Sequence, residues 1–317
     1  MKILVIGKVA SITNWLEDCV SAWRADGHEV AVAASRNPAL SPSIEKIGLA
    51  KSIGAPLARR IRRNAELFSP DLIVVIGAYH VPRVILEEVG SLPRRAPMIG
   101  WVGDLYNADA EKSAALLDMV AYTDSGLLSI HREQAFSSPA RYLPHAAGQN
   151  IGGSPFGERK ATMVFVGNPT GHRRAIVSGL RAPMALYGPG WLAEGKVSHE
   201  IVARRIVKAA LPQIYGRHLA ALNIRNEHNV LDGLNQRNFE PCLADCAVVT
   251  EQQADLELCF DPGREVLVYD DIDQLNAIQE QLLANPEWAM AIGRAGHRRV
   301  LAEHTYARRL KSIMAFV

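Results

Sequence analysis

Short apolar runs alternate with helix-patterned stretches along the amino-terminal half of the chain. The runs are too short to be helices and are bounded by glycine, proline or polar residues, which is typical of buried strands. Strands are predicted at Lys2–Gly7, Glu29–Ala34, the run PDLIVVIG, Pro97–Val102, Met119–Thr123 and Arg141–Leu143. Buried strands that alternate with helices form parallel sheets covered on both faces. The pattern therefore predicts an α/β, Rossmann-like domain.

The carboxyl-terminal half repeats this alternation. Strands are predicted at Ala161–Val166, Met184–Tyr187, Leu219–Ile224, Ala247–Thr250 and Val266–Tyr269, with helices beginning near Leu234, over Asp273–Leu283 and over Glu287–Val317, broken near His304. The intervening AAGQNIGGSPFGERK has the composition of a linker. A chain of 317 residues also fits two domains better than one. We expect domains at residues 1–150 and 151–300, a ligand cleft between them, and a terminal amphipathic helix over 301–317 that packs back on the first domain.

Polar side chains follow several predicted strands of the first half. His80 follows the third strand, Asp104 the fourth, Asp124 the fifth and His145 the sixth. Sites in parallel sheets are built at the carboxyl ends of the strands. Asp104 is the strongest candidate, because Trp101 and Tyr106 flank it, and aromatic rings beside a carboxylate commonly hold sugars. A capping or core histidine is the alternative for His80. Asp124 precedes a helix expected to begin at Ser125, so we read it as near the N-cap of that helix.

The stretch from His218 to Glu251 carries the main candidates of the second half. Asp232 and Glu240 lie eight residues apart on a loop expected to run into a helix, so both could face one cleft. Such carboxylates can accept paired hydrogen bonds from vicinal sugar or ribose hydroxyls. The alternative is a helix N-terminus that favours acidic residues. The candidate donor-binding set is Gly167, Asn168, Arg173, Arg174, Gly188, Trp191, Arg225, Asn235, Arg237 and Glu240.

Glycine at a strand end, followed by arginines on the next helix, favours a diphosphate site. Gly167 precedes Arg173 and Arg174 in this way. Arginines exposed on a helix surface are the alternative. At the amino terminus, Gly7 is followed by Lys8 without the GxGxxG pattern, which disfavours a dinucleotide-dependent dehydrogenase.

Composition narrows the classes of partner. The formal net charge of +2 comes from 35 basic and 33 acidic residues, so no overall field favours nucleic acid or an anionic membrane. The local cluster of Arg59, Arg60, Arg62 and Arg63 is either a solvated helix face or a patch for an acidic or membrane-borne acceptor. Four scattered cysteines argue against zinc and against disulfides. With no signal-peptide pattern or long apolar run, we expect a cytoplasmic protein.

Six segments, in order, carry a family resemblance. They are FVGNPTGHRR, LYGPGW, LPQIYGRHLAALNI, DGLNQRNFE, DLELCFDPGREVLVYDDIDQL and AGHRRVLAEHTYARR. From Ala161 onward the chain resembles the CgeB-like (spore maturation protein type) group of GT-B glycosyltransferases, whose carboxyl-terminal domain is similar to that of glycosyltransferase family 4. The first half matches in pattern, through PDLIVVIGAYH and WVGD.

The resemblance implies a GT-B architecture. It also implies an enzyme that transfers a sugar from a UDP-, GDP- or dTDP-linked donor without a metal or other cofactor. It implies a donor bound mainly by the second domain and an acceptor bound mainly by the first. Carried over by position, Glu240 holds the ribose hydroxyls and Asp232 faces the donor sugar. Asp232 stands where retaining enzymes usually have glutamate, and Asp245 where the group usually has glycine.

The expected catalytic residues are Asp104, His80 and Asp232, with no metal ligands. The acceptor stays open among a glycan, a lipid, a protein, a small molecule and a modified nucleobase. Two alternatives are a nucleotide-sugar epimerase on the same fold and a noncatalytic sugar-nucleotide-binding partner of another enzyme.

Overall fold

Two compact units make up the chain. The computed structural model describes residues 1–9, 15–35, 50–106, 109–148, 159–226 and 229–316. The first unit comprises Met1–Pro144, His228–Asp232 and Tyr306–Val317, and the second comprises His145–Glu227 and Gly233–Thr305. Most of the predicted linker, residues 149–158, lies outside the described residues.

The first unit is built on a six-stranded parallel sheet in the order β2-β1-β3-β4-β5-β6. Its strands are β1 (Lys2–Gly7), β2 (Glu29–Ala34), β3 (Leu72–Ile76), β4 (Met98–Val102), β5 (Met119–Tyr122) and β6 (Ala140–Tyr142). Its helices are α1 (Trp15–Ala25), α2 (Ala50–Phe68), α3 (Arg83–Gly90), α4 (Ala110–Ala114), α5 (Ser125–Glu133) and, from the carboxyl terminus, α11 (Tyr306–Met314). Strands β3, β4 and β5 are buried along their whole length, as their apolar runs predict.

A second six-stranded parallel sheet, in the order β12-β11-β10-β7-β8-β9, forms the other unit. Its strands are β7 (Lys160–Val166), β8 (Met184–Tyr187), β9 (Glu200–Val202), β10 (His218–Asn223), β11 (Ala247–Glu251) and β12 (Leu267–Tyr269). Its helices are α6 (Gly171–Ser178), α7 (Leu211–Gly216), α8 (Leu256–Cys259), α9 (Ile272–Ala284) and α10 (Pro286–Glu303). Strand order reverses between β1 and β3 in the first sheet and between β7 and β10 in the second. Ligands bind at such switch points, outside the carboxyl ends of the strands.

The prediction of a helix that begins near Leu234 is wrong. Two 3₁₀ turns stand there, at Gln236–Asn238 and Pro241–Ala244. The Asn235 side chain caps the first turn, and its backbone N–H donates to the Asn238 side chain at 3.1 Å. Asparagine side chains compete with helical backbone bonds, and Pro241 removes an N–H donor. The local sequence therefore favours short turns over a continuous helix.

The terminal helix α11 belongs to the first unit. The indole N–H of Trp23 donates to the Tyr306 carbonyl at 3.0 Å, and Arg309 Nε donates to the Pro144 carbonyl at 2.8 Å. Leu310 and Ile313 are buried, as the helical pattern predicts. Met314, in the last turn of this helix, is 42% exposed.

The basic cluster lies on α2. Arg62 pairs with Glu66 at 3.0 Å and with Glu88 at 3.3 Å, whereas Arg59, Arg60 and Arg63 are exposed. The expected patch for an acidic or membrane-borne acceptor thus depends on three of the four arginines. Across the described ranges, no helix is long and apolar enough to cross a membrane. The four cysteines are buried and form no disulfide.

Asp245, which ends the second 3₁₀ turn, has a left-handed backbone with φ 49° and ψ 28°. Glycine adopts this conformation at little cost, which agrees with the glycine expected from the family resemblance. Here the Asp245 carboxylate accepts a hydrogen bond from His297 Nδ1 at 2.7 Å. Aspartate tolerates the left-handed region better than most residues because its short polar side chain bonds locally.

Replacing Asp245 separates backbone strain from the side-chain bond. We expect Asp245→Ala to lose about 1–2 kcal/mol, because alanine keeps the strained backbone and loses the bond. Asp245→Gly relieves the strain and should stay within about 1 kcal/mol of the parent. Thermal unfolding of both variants, beside His297→Ala as the control for the bond alone, measures this ordering. Equal losses for the glycine and alanine variants would contradict it.

Candidate functional site

His80 and Asp104 meet at the carboxyl edge of the first sheet. Gly77, with φ 65°, turns the chain out of β3 into a 3₁₀ turn over Ala78–His80. His80 Nε2 lies 3.7 Å from Asp104 Oδ2, and each side chain is 48% exposed. Asn229 Nδ2 donates to Asp104 Oδ1 at 3.1 Å. The structure therefore brings two of the predicted catalytic residues together in a solvent-accessible polar group.

The predicted aromatic wall beside Asp104 is wrong for Trp101. This indole is fully buried, and its N–H donates to the Leu143 carbonyl at 3.0 Å. Trp101 lies inside β4, so its ring serves the core. Tyr106 is partly buried, and its hydroxyl donates to the Leu127 carbonyl at 2.5 Å.

Asp124 is a helix cap, as predicted, and it has a second role. Its Oδ1 accepts from the backbone N–H groups of Gly126 at 2.9 Å and Leu127 at 3.2 Å, which caps α5. Its Oδ2 also accepts from the Leu231 N–H at 2.8 Å and the Asp232 N–H at 3.2 Å. Asp124 is 2% exposed. One buried carboxylate therefore holds the segment that carries Asp232.

Asp232 lies against the first turn of α5. A Cβ at Gly126 would come within 2.7 Å of Asp232 Oδ2, so glycine there leaves room for the carboxylate. Asp232 belongs to the first unit, whereas Glu240 belongs to the second. The chain between them forms two 3₁₀ turns instead of the expected helix, and the expectation that both carboxylates face one cleft stays a prediction.

In the second unit, the turn after β7 interlocks with the GPGW segment. The Trp191 N–H donates to the Gly167 carbonyl at 2.7 Å, and the ring is 1% exposed. A Cβ at Gly188 would collide with the same carbonyl oxygen. Gly188 and Trp191 thus shape the Gly167 turn, and the buried ring offers little surface for direct donor contact.

Arg173, on the first turn of α6, is 5% exposed. Its Nη1 donates to the Asn168 carbonyl at 2.9 Å and its Nη2 to the Ile224 carbonyl at 3.4 Å, so it spans the switch point between β7 and β10. Its Nε has no hydrogen-bond partner within the described part of the chain. Burial, followed by the like charge of Arg237, lowers the pKa of Arg173 to about 10. The site therefore holds a buried positive charge with a spare donor.

Arg174 has a different environment from its neighbour. Its Nη1 pairs with Glu194, its Nη2 donates to the Gly190 carbonyl at 2.7 Å, and its guanidinium lies 5.8 Å from the centre of the Trp191 ring. These contacts tie α6 to the GPGW segment. The contacts of Arg174 are therefore structural. Its environment differs from that of Arg173, although both were predicted to bind the donor.

A buried amide network lies at the ends of β10 and β11, and of its members only Asn235 and Arg237 were predicted as site residues. Asn223 Nδ2 donates to Asn238 Oδ1 at 2.9 Å and to Thr250 Oγ1 at 3.1 Å. Asn223 Oδ1 accepts from Asn235 Nδ2 at 3.1 Å and from Arg237 Nε at 3.3 Å. The network fixes the direction of Arg237. The sequence signal for this network was Asn223 at the end of an otherwise apolar strand, because a buried side-chain amide needs hydrogen-bond partners.

Glu240 follows this network and is 5% exposed. Lys208 Nζ lies 3.6 Å from Glu240 Oε1, and Lys208 was not among the predicted site residues. Burial lowers the pKa of Arg237, although the negative charge of nearby Glu240 opposes this effect. A carboxylate, an ammonium and a guanidinium therefore lie near one another at this edge.

Three further groups gather at the ends of β10 and β11. Glu251 Oε1 accepts from His172 Nε2 at 2.5 Å, and Glu251 Oε2 accepts from the Arg225 N–H at 2.7 Å. The predicted residue Arg225 thus contributes its backbone to this contact, and its Nε has no partner among the described residues. His172 and Glu251 were not predicted. Within the described ranges, no group of three or more histidine, cysteine, aspartate or glutamate side chains could hold a metal ion.

Comparison with known proteins gives a family match and fold matches. Residues 172–315 match the family model described as glycosyl transferase-like. No curated protein matches the sequence. HepE from Anabaena, solved with UDP and glucose, is similar with a TM-score of 0.69 at 10% identity over 100% of both chains.

Two further structures match over the same extent. Sucrose-phosphate synthase from Thermosynechococcus elongatus has a TM-score of 0.68 at 14% identity, covering 100% of this chain and 98% of that one. T4 phage BGT, solved with its UDP-glucose substrate, has a TM-score of 0.61 at 12% identity, with 100% and 98% covered. These similarities establish the fold. The predicted α/β GT-B architecture with two Rossmann-like domains is confirmed.

The different environments of the two arginines give a matched experiment. Because Arg173 is a predicted diphosphate ligand, Arg173→Ala should weaken binding of UDP about 10- to 150-fold and leave uridine binding nearly unchanged, since a hydrogen bond to a charged group is worth about 1.5–3 kcal/mol. Arg174→Ala should lower the melting temperature and change both affinities by similar factors, because it loosens the GPGW segment. Calorimetric titration of both ligands into both variants tests this. Equal losses for UDP and uridine in Arg173→Ala would remove Arg173 from a phosphate site.

Proposed function

We propose that the chain is a GT-B glycosyltransferase of the CgeB-like group, which transfers a sugar from a nucleotide-sugar donor to an acceptor hydroxyl. The observation that carries this proposal is the buried charge of Arg173 near Arg237, with an unpartnered Nε, beside the switch point of the second sheet. A buried charge without a full set of partners is costly. A diphosphate supplies both the opposite charge and the acceptor oxygens.

The neighbouring residues suit the rest of a nucleotide. Glu240 is the proposed ligand of the ribose hydroxyls, since one carboxylate can accept bonds from two vicinal hydroxyls. Lys208, 3.6 Å from Glu240, limits the cost of burying that carboxylate. HepE was solved with UDP and with UDP-glucose, and T4 phage BGT with UDP-glucose. These neighbours favour UDP as the first nucleotide to test.

Catalysis of transfer requires stabilisation of the leaving diphosphate. We assign this charge to Arg173, Arg237 and the first-turn amides of α6, and we expect no metal requirement. The resemblance assigns Asp232 to the donor sugar. Aspartate is one methylene shorter than the usual glutamate, so retaining and inverting outcomes are both compatible with it.

The His80–Asp104 pair is the proposed acceptor-activating group of the first unit. Asp104 can orient the attacking hydroxyl or accept its proton, either directly or through His80 at 3.7 Å. General base catalysis of this kind contributes about 10²- to 10⁴-fold in rate. Both groups are half exposed, so an acceptor can reach them.

The alternative functions make distinct predictions. A nucleotide-sugar epimerase converts its donor without an acceptor, whereas a glycosyltransferase needs one for a transfer product. A noncatalytic partner binds the nucleotide and neither transfers nor hydrolyses the sugar. The strand-end pair of His80 and Asp104 supplies a candidate general base, which favours a catalytic role over simple binding.

Donor binding is tested with the Glu240→Gln variant. We expect one of UDP, GDP and dTDP to raise the melting temperature of the parent protein, because a ligand that binds only the folded state stabilises it. Glu240→Gln should weaken that nucleotide about 10- to 150-fold, in line with about 1.5–3 kcal/mol for a bond to a charged group. Exposed Glu257 gives the matched control Glu257→Gln. Failure of all three nucleotides to bind would overturn the proposed function.

Acceptor activation is tested with Asp104→Asn. Nucleotide affinity and melting temperature should stay near those of the parent, while donor turnover with acceptor falls about 10²- to 10⁴-fold. Asp109→Asn is the matched control, because Asp109 pairs with Lys112 at 3.6 Å on the surface. If the melting temperature of Asp104→Asn falls and residual turnover follows the folded fraction, Asp104 is structural.

A further inference from the structure

Glu251 joins the two segments that flank the switch point of the second sheet. It ends β11, and its side chain is 13% exposed. One carboxylate oxygen accepts from His172 on the first turn of α6 at 2.5 Å, and the other accepts from the Arg225 N–H after β10 at 2.7 Å. Glu251 therefore stands among the groups assigned above to the donor diphosphate.

The charges around this pair are mostly positive. From α6, Arg173 feels the field of Glu251, which raises its pKa against the stronger effects of burial and of Arg237. On β12, the Tyr269 hydroxyl lies within the electrostatic field of Glu251, which raises its pKa, and of Arg225, which lowers it. Burial raises the pKa of Tyr269 above its usual value, so its hydroxyl stays neutral, and that hydroxyl has no partner among the described residues. The Glu251 carboxylate is thus a negative charge within a cluster of arginines.

A carboxylate at this place opposes an incoming diphosphate, because like charges in a partly buried site repel each other. A proton on His172 removes this conflict, since an imidazolium in direct contact with Glu251 neutralises it. Histidine is the side chain whose charge changes most readily in the physiological pH range. Protonated His172 and a bound diphosphate therefore favour each other.

We propose that His172 is a proton-linked donor-binding residue, which takes up a proton from solvent as the nucleotide diphosphate binds and cancels the charge of Glu251. This inference rests on the proposed function, because it concerns the same diphosphate. Coupling between two bound species is reciprocal, so a proton that strengthens donor binding is also held more tightly once the donor is bound. Donor affinity should therefore rise as the pH falls, by up to about tenfold per pH unit for one linked proton.

Proton uptake can be measured directly. UDP-glucose is the probe, because its diphosphate is a diester without a titrating proton near neutral pH. Calorimetric titrations at one pH, in two buffers with different ionisation enthalpies, give the number of protons taken up per bound ligand. The parent should take up a fraction of one proton, and His172→Gln should take up none and bind about tenfold more weakly. His297→Gln is the matched control, since His297 contacts Asp245 at 2.7 Å in the same unit.

Removing the Glu251 carboxylate distinguishes a charge-compensating role of the His172–Glu251 pair from a purely structural role. Glu251→Gln should lose proton uptake yet bind UDP-glucose at least as tightly as the parent, and His172→Gln/Glu251→Gln should keep that affinity. A purely structural pair would instead give weaker binding and lower melting temperatures in both variants, which would overturn the inference. Uptake that persists in His172→Gln would also overturn it.

The outcomes distinguish this inference from the function on which it depends. Binding of UDP-glucose by the parent without proton uptake overturns the role of His172 and leaves donor binding intact. If the parent protein binds neither UDP-glucose nor a GDP- or dTDP-linked sugar, both the proposed function and this inference are overturned. If another nucleotide-sugar binds, the same titrations are made with that diester.

Discussion

The burial of the Arg173 guanidinium is the constraint on which the second unit's site depends. A cation at 5% exposure loses most of its hydration, and the carbonyls of Asn168 and Ile224 replace only part of it. Those carbonyls belong to segments that follow β7 and β10, so the side chain binds the two sides of the switch point together. Those contacts supply no negative charge, and Glu251 acts on the guanidinium only through its field. The residue that holds the two segments together is therefore also the proposed diphosphate ligand.

The two other arginines near Arg173 have different contacts and therefore different roles. Arg174 is neutralised by Glu194 and holds the GPGW segment, which in turn shapes the Gly167 turn. Arg237 is oriented by the Asn223 amide, so its charge is fixed in direction while burial lowers its pKa. Two arginines adjacent in sequence thus differ in environment, because Arg174 pairs directly with a carboxylate, whereas Arg173 donates to carbonyls and feels Glu251 only through its field.

Histidine–carboxylate pairs recur in both units with different surroundings. His80 and Asp104 are half exposed, which suits contact with an acceptor. His172 and Glu251 are mostly buried among arginines, which suits a charge-compensating role. His297 and Asp245 support a left-handed backbone at the end of a 3₁₀ turn. Burial and neighbouring charge, rather than the residue types themselves, distinguish the three.

Most of the regular structure follows from the order of residues alone. The strands of both sheets match their apolar runs within a few residues, because a strand buried on both faces needs an uninterrupted apolar sequence. The edge strand β9 (Glu200–Val202) escaped prediction, since a partly exposed strand of three residues lacks that signal. The helix near Leu234 was also wrong, because asparagine side chains compete with the helical backbone in ways that periodicity does not report.

The sequence by itself determined the α/β class, the strand ends at which polar residues gather, and the candidate set that contains His80, Asp104, Arg173 and Glu240. These follow from local pattern and from the geometry shared by all parallel sheets. Tertiary structure alone decided that Trp101 is core, that Arg174 is paired while Arg173 is not, and that His172 meets Glu251 across 79 residues of chain. Burial and ion pairing depend on distances between segments remote in sequence, and no local pattern contains those distances.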